Sequence, residues 1–208
     1  MITEDIEGFV IHRAALDLRR QEELVTAARM IAERAPLVRP LTAWGKHMSV
    51  KMTSAGRLGW VIERGRYRYT DRHPATGTRW PAIPEEILTV WRTYSSWPTD
   101  PDSCLLNWYD AGAKMGLHQD KDEGGFEAPV VSISLGDPAR FRMGGTERGL
   151  ATKSTILESG DVVVMGGAAR LAYHGIDRIL TDGPHSYLLE GRGRINLTLR
   201  VVRQDPAP

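Results

Sequence analysis

Residues 194–200, Arg-Ile-Asn-Leu-Thr-Leu-Arg, place a charge at each end of an otherwise apolar, alternating run. In an extended chain successive side chains point to opposite faces. Arg194, Asn196, Thr198 and Arg200 therefore share one face, and Ile195, Leu197, Leu199 and Val201 the other. Such a strand fits two settings. It can lie at a sheet edge with a wet basic face, or it can be buried. If buried, each guanidinium must find a partner, because an unpaired charge out of water is costly. A dicarboxylate would pair both arginines, since guanidinium forks bind carboxylates in a bidentate manner that lysine cannot reproduce.

Upstream, His118-Gln119-Asp120 and a later Tyr173-His174-Gly175 supply two imidazoles and one carboxylate. That set holds a non-haem Fe(II) on one face and leaves its other positions open. If the chain is extended at residues 118–120, His118 and Asp120 face the same way and Gln119 points away. The apolar run 104–109 reads as a strand before them and 110–116 as the joining turn. Taken alone, His-x-Asp recurs by chance; His118 could equally be a core histidine and Asp120 a loop carboxylate. Together with the arginine strand the pattern reads as an Fe(II)/2-oxoglutarate dioxygenase, with O2 as the second co-substrate.

The rest of the chain organises around short strands. Stretches 130–135, 139–143, 154–157 and 161–165 follow one another with Gly and Asp turns and no helices between them. This argues against a parallel βαβ sheet and for a sandwich. Two helices precede them. Leu24, Ala28, Ile31 and Ala35 recur at helical spacing, so a first helix covers roughly 15–34. A second helix covers 84–95, opened by Pro84, with Glu85 and Glu86 in its first turn. Shorter extended pieces fall at 48–52, 58–62 and 66–70. With 208 residues and one cysteine, the chain is long enough for a substantial core and excludes a disulfide framework. Cys104 reads as core. The acidic start is unlike a signal peptide and no apolar run reaches membrane-span length, so cytoplasm is expected. His12, His47, His73 and His185 have no partners at ligand spacing, and residues 204–208 read as a loose tail.

The net charge of +1 conceals a strong asymmetry. Residues 37–80 hold nine cations (Arg39, Lys46, Lys51, Arg57, Arg64, Arg66, Arg68, Arg72 and Arg79) against Glu63 and Asp71 alone, a surplus of seven. Trp44, Trp60, Tyr67 and Tyr69 are interleaved with them. Cations that track phosphates and aromatic faces that stack on bases are what a nucleic-acid surface requires, though a solvated basic hairpin has the same composition.

On these motifs the chain resembles the bacterial AlkB-type nucleic-acid dealkylases, from about residue 37 to residue 200. The H-x-D…H set matches His118, Asp120 and His174; R-x-N-x-T-x-R matches residues 194–200; N-x-Y matches Asn107 and Tyr109. The run His118-Gln-Asp-Lys-Asp-Glu123 is specific to this branch. The resemblance implies an α+β, mainly β fold: a double-stranded β-helix (jelly roll) with N-terminal helices on one side. It implies a single domain over 1–208, with 37–83 as a substrate-recognition lid. It further implies that Arg194 holds the distal carboxylate of 2-oxoglutarate and Arg200 the carboxylate beside the keto group. Asn107, Tyr109 and Asn196 complete that site. Trp60 would stack on a flipped base against His118, Tyr67 and Tyr69 would bind backbone near the lesion, and Arg148 would reach the nucleic acid. Asp122 would face the base, and Thr42, Met48 and Ser132 would line its pocket.

The activity so implied is oxidative dealkylation of 1-methyladenine- and 3-methylcytosine-type bases in single- or double-stranded DNA, and also in RNA. It is coupled to decarboxylation of 2-oxoglutarate to succinate, with release of formaldehyde, and it repairs alkylation damage directly. A base within a duplex must be flipped to reach such a site. Nothing in the sequence demands more than a monomer. Two alternatives stand beside this reading: a 2-oxoglutarate dioxygenase with a non-nucleic-acid substrate, and a nucleic-acid-binding module without catalysis.

Overall fold

Antiparallel pairing runs through every sheet of the protein. The structure, a computed structural model, describes residues 2–42, 45–63, 65–181, 186–189 and 193–202. In chain order the elements are β1 (Ile2–Ile6), β2 (Phe9–Arg13), α1 (Leu18–Arg34), β3 (Lys51–Gly56), β4 (Gly59–Glu63), β5 (Arg66–Thr70), α2 (Glu85–Tyr94) and β6 (Ser103–Tyr109). There follow β7 (Met115–His118), β8 (Val130–Gly136), β9 (Ala139–Met143), β10 (Lys153–Leu157), β11 (Val162–Met165), β12 (His174–Ile179) and β13 (Arg194–Arg200). Seven strands form one sheet in the order β1-β2-β11-β8-β13-β6-β3. Four form a second, β10-β9-β12-β7, and β4-β5 is a separate hairpin. The expected jelly-roll sandwich with helices on one side is what the chain forms.

Alternation on the central strands builds two cores. Cys104 and Leu106 of β6 and Ile195, Leu197 and Leu199 of β13 face outward from the large sheet. There they meet Leu24, Ala28 and Ile31 of α1 and Ile87 and Trp91 of α2. Leu105 and Tyr109 face the other way, into the sandwich, with Phe9, Phe141, Met143, Leu157 and Ile176. Each such fully buried aliphatic or aromatic side chain contributes about 1.5–3 kcal/mol relative to exposure. β13 lies between β6 and β8, so it is central and its polar face is inside the sandwich. The edge-strand alternative is thereby excluded.

Helix boundaries follow their caps. α1 begins at Leu18, three residues inside the expected start, because Asp17 accepts the Arg20 amide at 2.8 Å as N-cap. α1 ends at Arg34, ahead of Pro36. α2 starts directly after Pro84. β3 begins at Lys51, where the sequence suggested an extended piece at 48–52, and β7 begins at Met115, inside the stretch expected to be turn. The N-terminal hairpin was not expected at all. β1 and β2 turn through Glu7 and Gly8, both at positive φ (57° and 85°), and β2 extends the large sheet by pairing with β11. His185, Arg64, Trp44 and residues 204–208 lie outside the described residues.

Candidate metal centre and cavity

β7 and β12 bring the two imidazoles together. His118 ends β7, His174 opens β12, and they are registered partners across the antiparallel pair. Directly opposed residues share a face, and the ring centroids are 4.6 Å apart. The strands approach so closely beside them that a Cβ on Gly175 would lie 2.6 Å from the Met115 carbonyl oxygen. Each ring is fixed by its Nδ1, which lies 2.9 Å from the Gly116 carbonyl for His118 and 3.0 Å from the Ala172 carbonyl for His174. A carbonyl only accepts, so Nδ1 carries the proton and Nε2 keeps its lone pair for a metal.

Asp120 completes the set, though not by the strand alternation expected. β7 stops at His118, and Asp120 follows in irregular chain. Its backbone carbonyl accepts from Arg170 Nη1 at 2.7 Å. Its Oδ2 accepts from Arg200 Nη2 at 2.8 Å and from Arg200 Nε at 3.1 Å. Gln119 does point away, donating to the Leu171 carbonyl at 2.7 Å and so tying this loop to the turn that delivers His174. The three ligand atoms lie within 4.8 Å of one another. Burial alone would raise the Asp120 pKa, but Arg200, His174 and His118 outweigh it and hold the carboxyl well below the usual carboxylate range. Burial, and then His118, lower His174 to about 4. The donor set at neutral pH is therefore one carboxylate and a neutral imidazole at His174, which suits Fe(II).

Arg194, Asn196, Thr198 and Arg200 line, with this triad, a cavity of about 420 Å³. The two arginines differ, where the resemblance assigned each of them one carboxylate of 2-oxoglutarate. Arg200 already has protein partners: Asp120, and Glu123 Oε1 at 3.4 Å. A dicarboxylate is not needed to pair it. Arg194 is fully buried, and its hydrogen bonds go to Ser134 Oγ (2.5 Å), the Asp137 carbonyl (3.1 Å) and the Leu157 carbonyl (3.4 Å). These are neutral oxygens, and its Nε has no partner among the described residues. Burial lowers its pKa to about 10. A buried guanidinium with an unused N–H in a cavity wall is a site for an anionic oxygen. Tyr109, opposite Arg194 in register, is kept protonated by burial and can donate beside it. Asn107 lies opposite Asn196, and its Oδ1 has no partner among the described residues. The Asn196 amide is already engaged, donating to Ser132 Oγ and the Ile133 carbonyl and accepting from Thr198.

Trp60, Tyr67, Asp122, Arg148, Thr42, Met48 and Ser132 border the same cavity. Trp60 and Tyr67 stack at 5.4 Å with 17° between planes, and Trp60 Nε1 donates to Asp122 Oδ2 at 2.9 Å. Arg148 lies exposed over the Tyr173 ring, and Thr42 donates to the Lys46 carbonyl. Tyr69 departs from this group. Its hydroxyl turns inward, donating to Glu123 Oε1 at 2.7 Å and accepting from Arg200 Nη1 at 3.4 Å.

The basic segment is also partly neutralised: Arg39 and Lys51 pair with Asp110, Arg57 with Asp102 and Arg68 with Glu63. Sequence reasoning missed Glu123 and Arg170 as parts of the site. The one signal for Arg170 was a lone arginine among small and apolar residues four positions before His174.

Comparison with known proteins places this geometry. The family profile of the 2OG-Fe(II) oxygenase superfamily matches residues 8–200. The chain is 51% identical to the alpha-ketoglutarate-dependent dioxygenase AlkB homolog of Caulobacter vibrioides, covering 95% of this chain and 89% of that protein. It is 43% identical to the alpha-ketoglutarate-dependent dioxygenase AlkB of Escherichia coli K12, over 86% and 83%. The structure of OsALKBH1 superposes with a TM-score of 0.80 at 29% identity, over 96% of this chain and all of that one. Fe(II), 2-oxoglutarate and O2 are accordingly the metal and co-substrates of the His118–Asp120–His174 cavity, and the chain belongs to the 2OG-Fe(II) oxygenase superfamily as an AlkB-type dioxygenase.

Proposed function

We propose that this enzyme oxidatively dealkylates N-alkylated bases of nucleic acid, 1-methyladenine and 3-methylcytosine among them, in DNA and also in RNA. One observation carries the reading: a single cavity holds the metal triad and Arg194 at one part of its wall and the stacked Trp60–Tyr67 pair with Asp122 at another. Bound iron, with 2-oxoglutarate and O2, supplies oxidation of the alkyl carbon, and the hydroxylated alkyl group then leaves as an aldehyde.

The chain's own residues do the rest. Arg194 takes a carboxylate of 2-oxoglutarate, with Tyr109 and Asn107 beside it. Asn196 holds Ser132 and the strand backbone in place, and Arg200 fixes the Asp120 carboxylate. Trp60 offers a flat face to a base that has left its stack, a contact worth about 1–3 kcal/mol. Asp122 adds negative charge where a cationic lesion would lie. Thr42, Met48 and Ser132 shape that pocket. Tyr67 and Arg148 lie at its border for the neighbouring nucleotides. In this reading residues 37–83 act as the recognition lid of one domain spanning 1–208. The protein works as a cytoplasmic monomer on single- or double-stranded substrate, and no described helix is long and apolar enough to cross a membrane.

The test is release of formaldehyde and succinate with a methylated single-stranded oligonucleotide, Fe(II) and 2-oxoglutarate. The expected result is equal release of both, dependent on the methylated base. Turnover of 2-oxoglutarate that no alkylated oligonucleotide stimulates would overturn the assignment.

A further inference from the structure

Trp60 and Tyr69 are registered partners across the β4–β5 hairpin, so their side chains leave the same face. That face meets two consecutive carboxylates just beyond the metal ligand Asp120: Trp60 Nε1 binds Asp122, and the Tyr69 hydroxyl binds Glu123. Glu123 is no surface residue. It is 7% exposed, and its other partners are Arg170 Nη2 and Arg200 Nε, each at 3.4 Å. Those same two arginines hold Asp120, Arg170 by its carbonyl and Arg200 by its carboxylate. Two buried carboxylates and two buried guanidiniums thus form a charge-balanced cluster, and the hairpin supplies its fifth member, a hydroxyl that bridges Glu123 and Arg200.

We propose that Tyr69 is a positioning residue: through Glu123 and Arg200 its hydroxyl locks the β4–β5 hairpin to the loop that carries Asp120, so that lid position and metal-ligand geometry are set together. Tyr69 does not border the cavity, and both hydrogen bonds of its hydroxyl are spent inside the protein. A phosphate would have to displace Glu123 to reach it. The hairpin's opposite face is held separately, by Val61 against Trp80 and Ala35. Loss of the hydroxyl would therefore loosen the Asp120 side of the hairpin and leave its other anchor in place.

This inference rests on the metal centre of the proposed function and not on its substrate, so its test needs neither turnover nor an alkylated base. In Tyr69→Phe, hydrogen exchange of the metal-free protein should quicken in residues 59–70 and 118–124 together. Affinity for Co(II), a spectroscopic stand-in for Fe(II), should fall roughly three- to tenfold, at or below the low end for partners of a metal ligand. Affinity for an unmodified oligonucleotide should stay within about twofold, because no nucleic-acid contact is lost. Glu123→Gln should reproduce the first two effects, and the double variant should add little to either single one, as residues of one network do. A fall in oligonucleotide affinity with unchanged exchange and Co(II) binding would overturn the proposal and make Tyr69 a backbone contact. So would additive effects in the double variant.

Discussion

β13 and β5 are written in the same style, Arg-Ile-Asn-Leu-Thr-Leu-Arg and Arg-Tyr-Arg-Tyr-Thr, each alternating a cation or polar residue with something apolar. They fold to opposite ends. β13 lies between two strands, its Ile and Leu face covered by helices, so its arginines are turned into the sandwich and buried. Among the described residues β5 pairs with β4 alone, and Arg66 and Arg68 are exposed while Tyr69 reaches inward. The intervening residues decide this. Isoleucine and leucine gain only by full burial, which commits the opposite face of a central strand as well, whereas tyrosine can cover a surface and still keep its hydroxyl bonded. One arginine-bearing strand lines the metal cavity with both of its arginines, and the other borders it with Tyr67 while its arginines stay outside.

The largest effects should come from the metal centre. His118→Ala, Asp120→Ala and His174→Ala should each abolish turnover together with bound iron, read as metal content and formaldehyde release. The centre's interdependence separates them: Asp120→Ala also takes from the buried Arg200 its shortest ion pair, leaving Glu123 at 3.4 Å, and should cost up to about 3–5 kcal/mol of stability, where His118→Ala costs far less. Equal melting temperatures for the two variants would show that Arg200 does not depend on Asp120.

Next come the two arginines, which the structure makes unequal. Arg194→Lys replaces a fork by a point charge at the position with an unused N–H, and should raise the KM for 2-oxoglutarate by roughly ten- to a hundredfold, about 1.4–2.7 kcal/mol. Arg200→Lys should act first on Asp120, lowering iron affinity and thermal stability before it changes 2-oxoglutarate dependence. The same KM shift with no loss of metal in both would restore their equivalence.

This division was only half legible in the sequence. Alternation told which residues of β13 share a face, and the His-x-Asp spacing told which two ligands could lie together, because both depend on residues close in sequence. His174, 54 residues beyond Asp120, came from the family motif. The sequence could not tell what Arg200 pairs with. That cluster joins Tyr69, Asp120, Glu123, Arg170 and Arg200, distant in sequence and brought together only by sheet packing. For the same reason Tyr69 was grouped with Tyr67 as a lid aromatic, and the β1–β2 hairpin was passed over although Glu7-Gly8 marks its turn. The double-stranded β-helix, by contrast, followed from strand density and family likeness.

The Trp60 face of the hairpin should respond more mildly, with the metal centre undisturbed. Trp60→Ala removes a stacking face and should raise the KM for methylated oligonucleotide by about 1–3 kcal/mol, with the KM for 2-oxoglutarate and the iron content unchanged. A drop in iron content would mean that the Trp60–Asp122 contact supports the metal loop as well.

Asp122→Asn is the smallest and most discriminating change. Asp122 is exposed, and its Oδ2 accepts the Trp60 indole N–H. An asparagine oxygen can keep that hydrogen bond, so the substitution removes charge while leaving the Trp60 ring where it is. N1-methyladenine and N3-methylcytosine are cationic near neutral pH, whereas N1-methylguanine can be neutral. A carboxylate about 4 Å from such a cation attracts it by up to about 4 kcal/mol at an effective dielectric of 20. Exposure and desolvation of the pair remove most of this, leaving about 1 kcal/mol, or roughly fivefold. We therefore expect kcat/KM for 1-methyladenine to fall roughly fivefold more than kcat/KM for 1-methylguanine, and the difference to shrink as salt is added. Asp122→Ala, which also frees the indole, should slow both lesions. If Asp122→Asn slows both equally, Asp122 serves only to orient Trp60, and the lid recognises the shape of the base and not its charge.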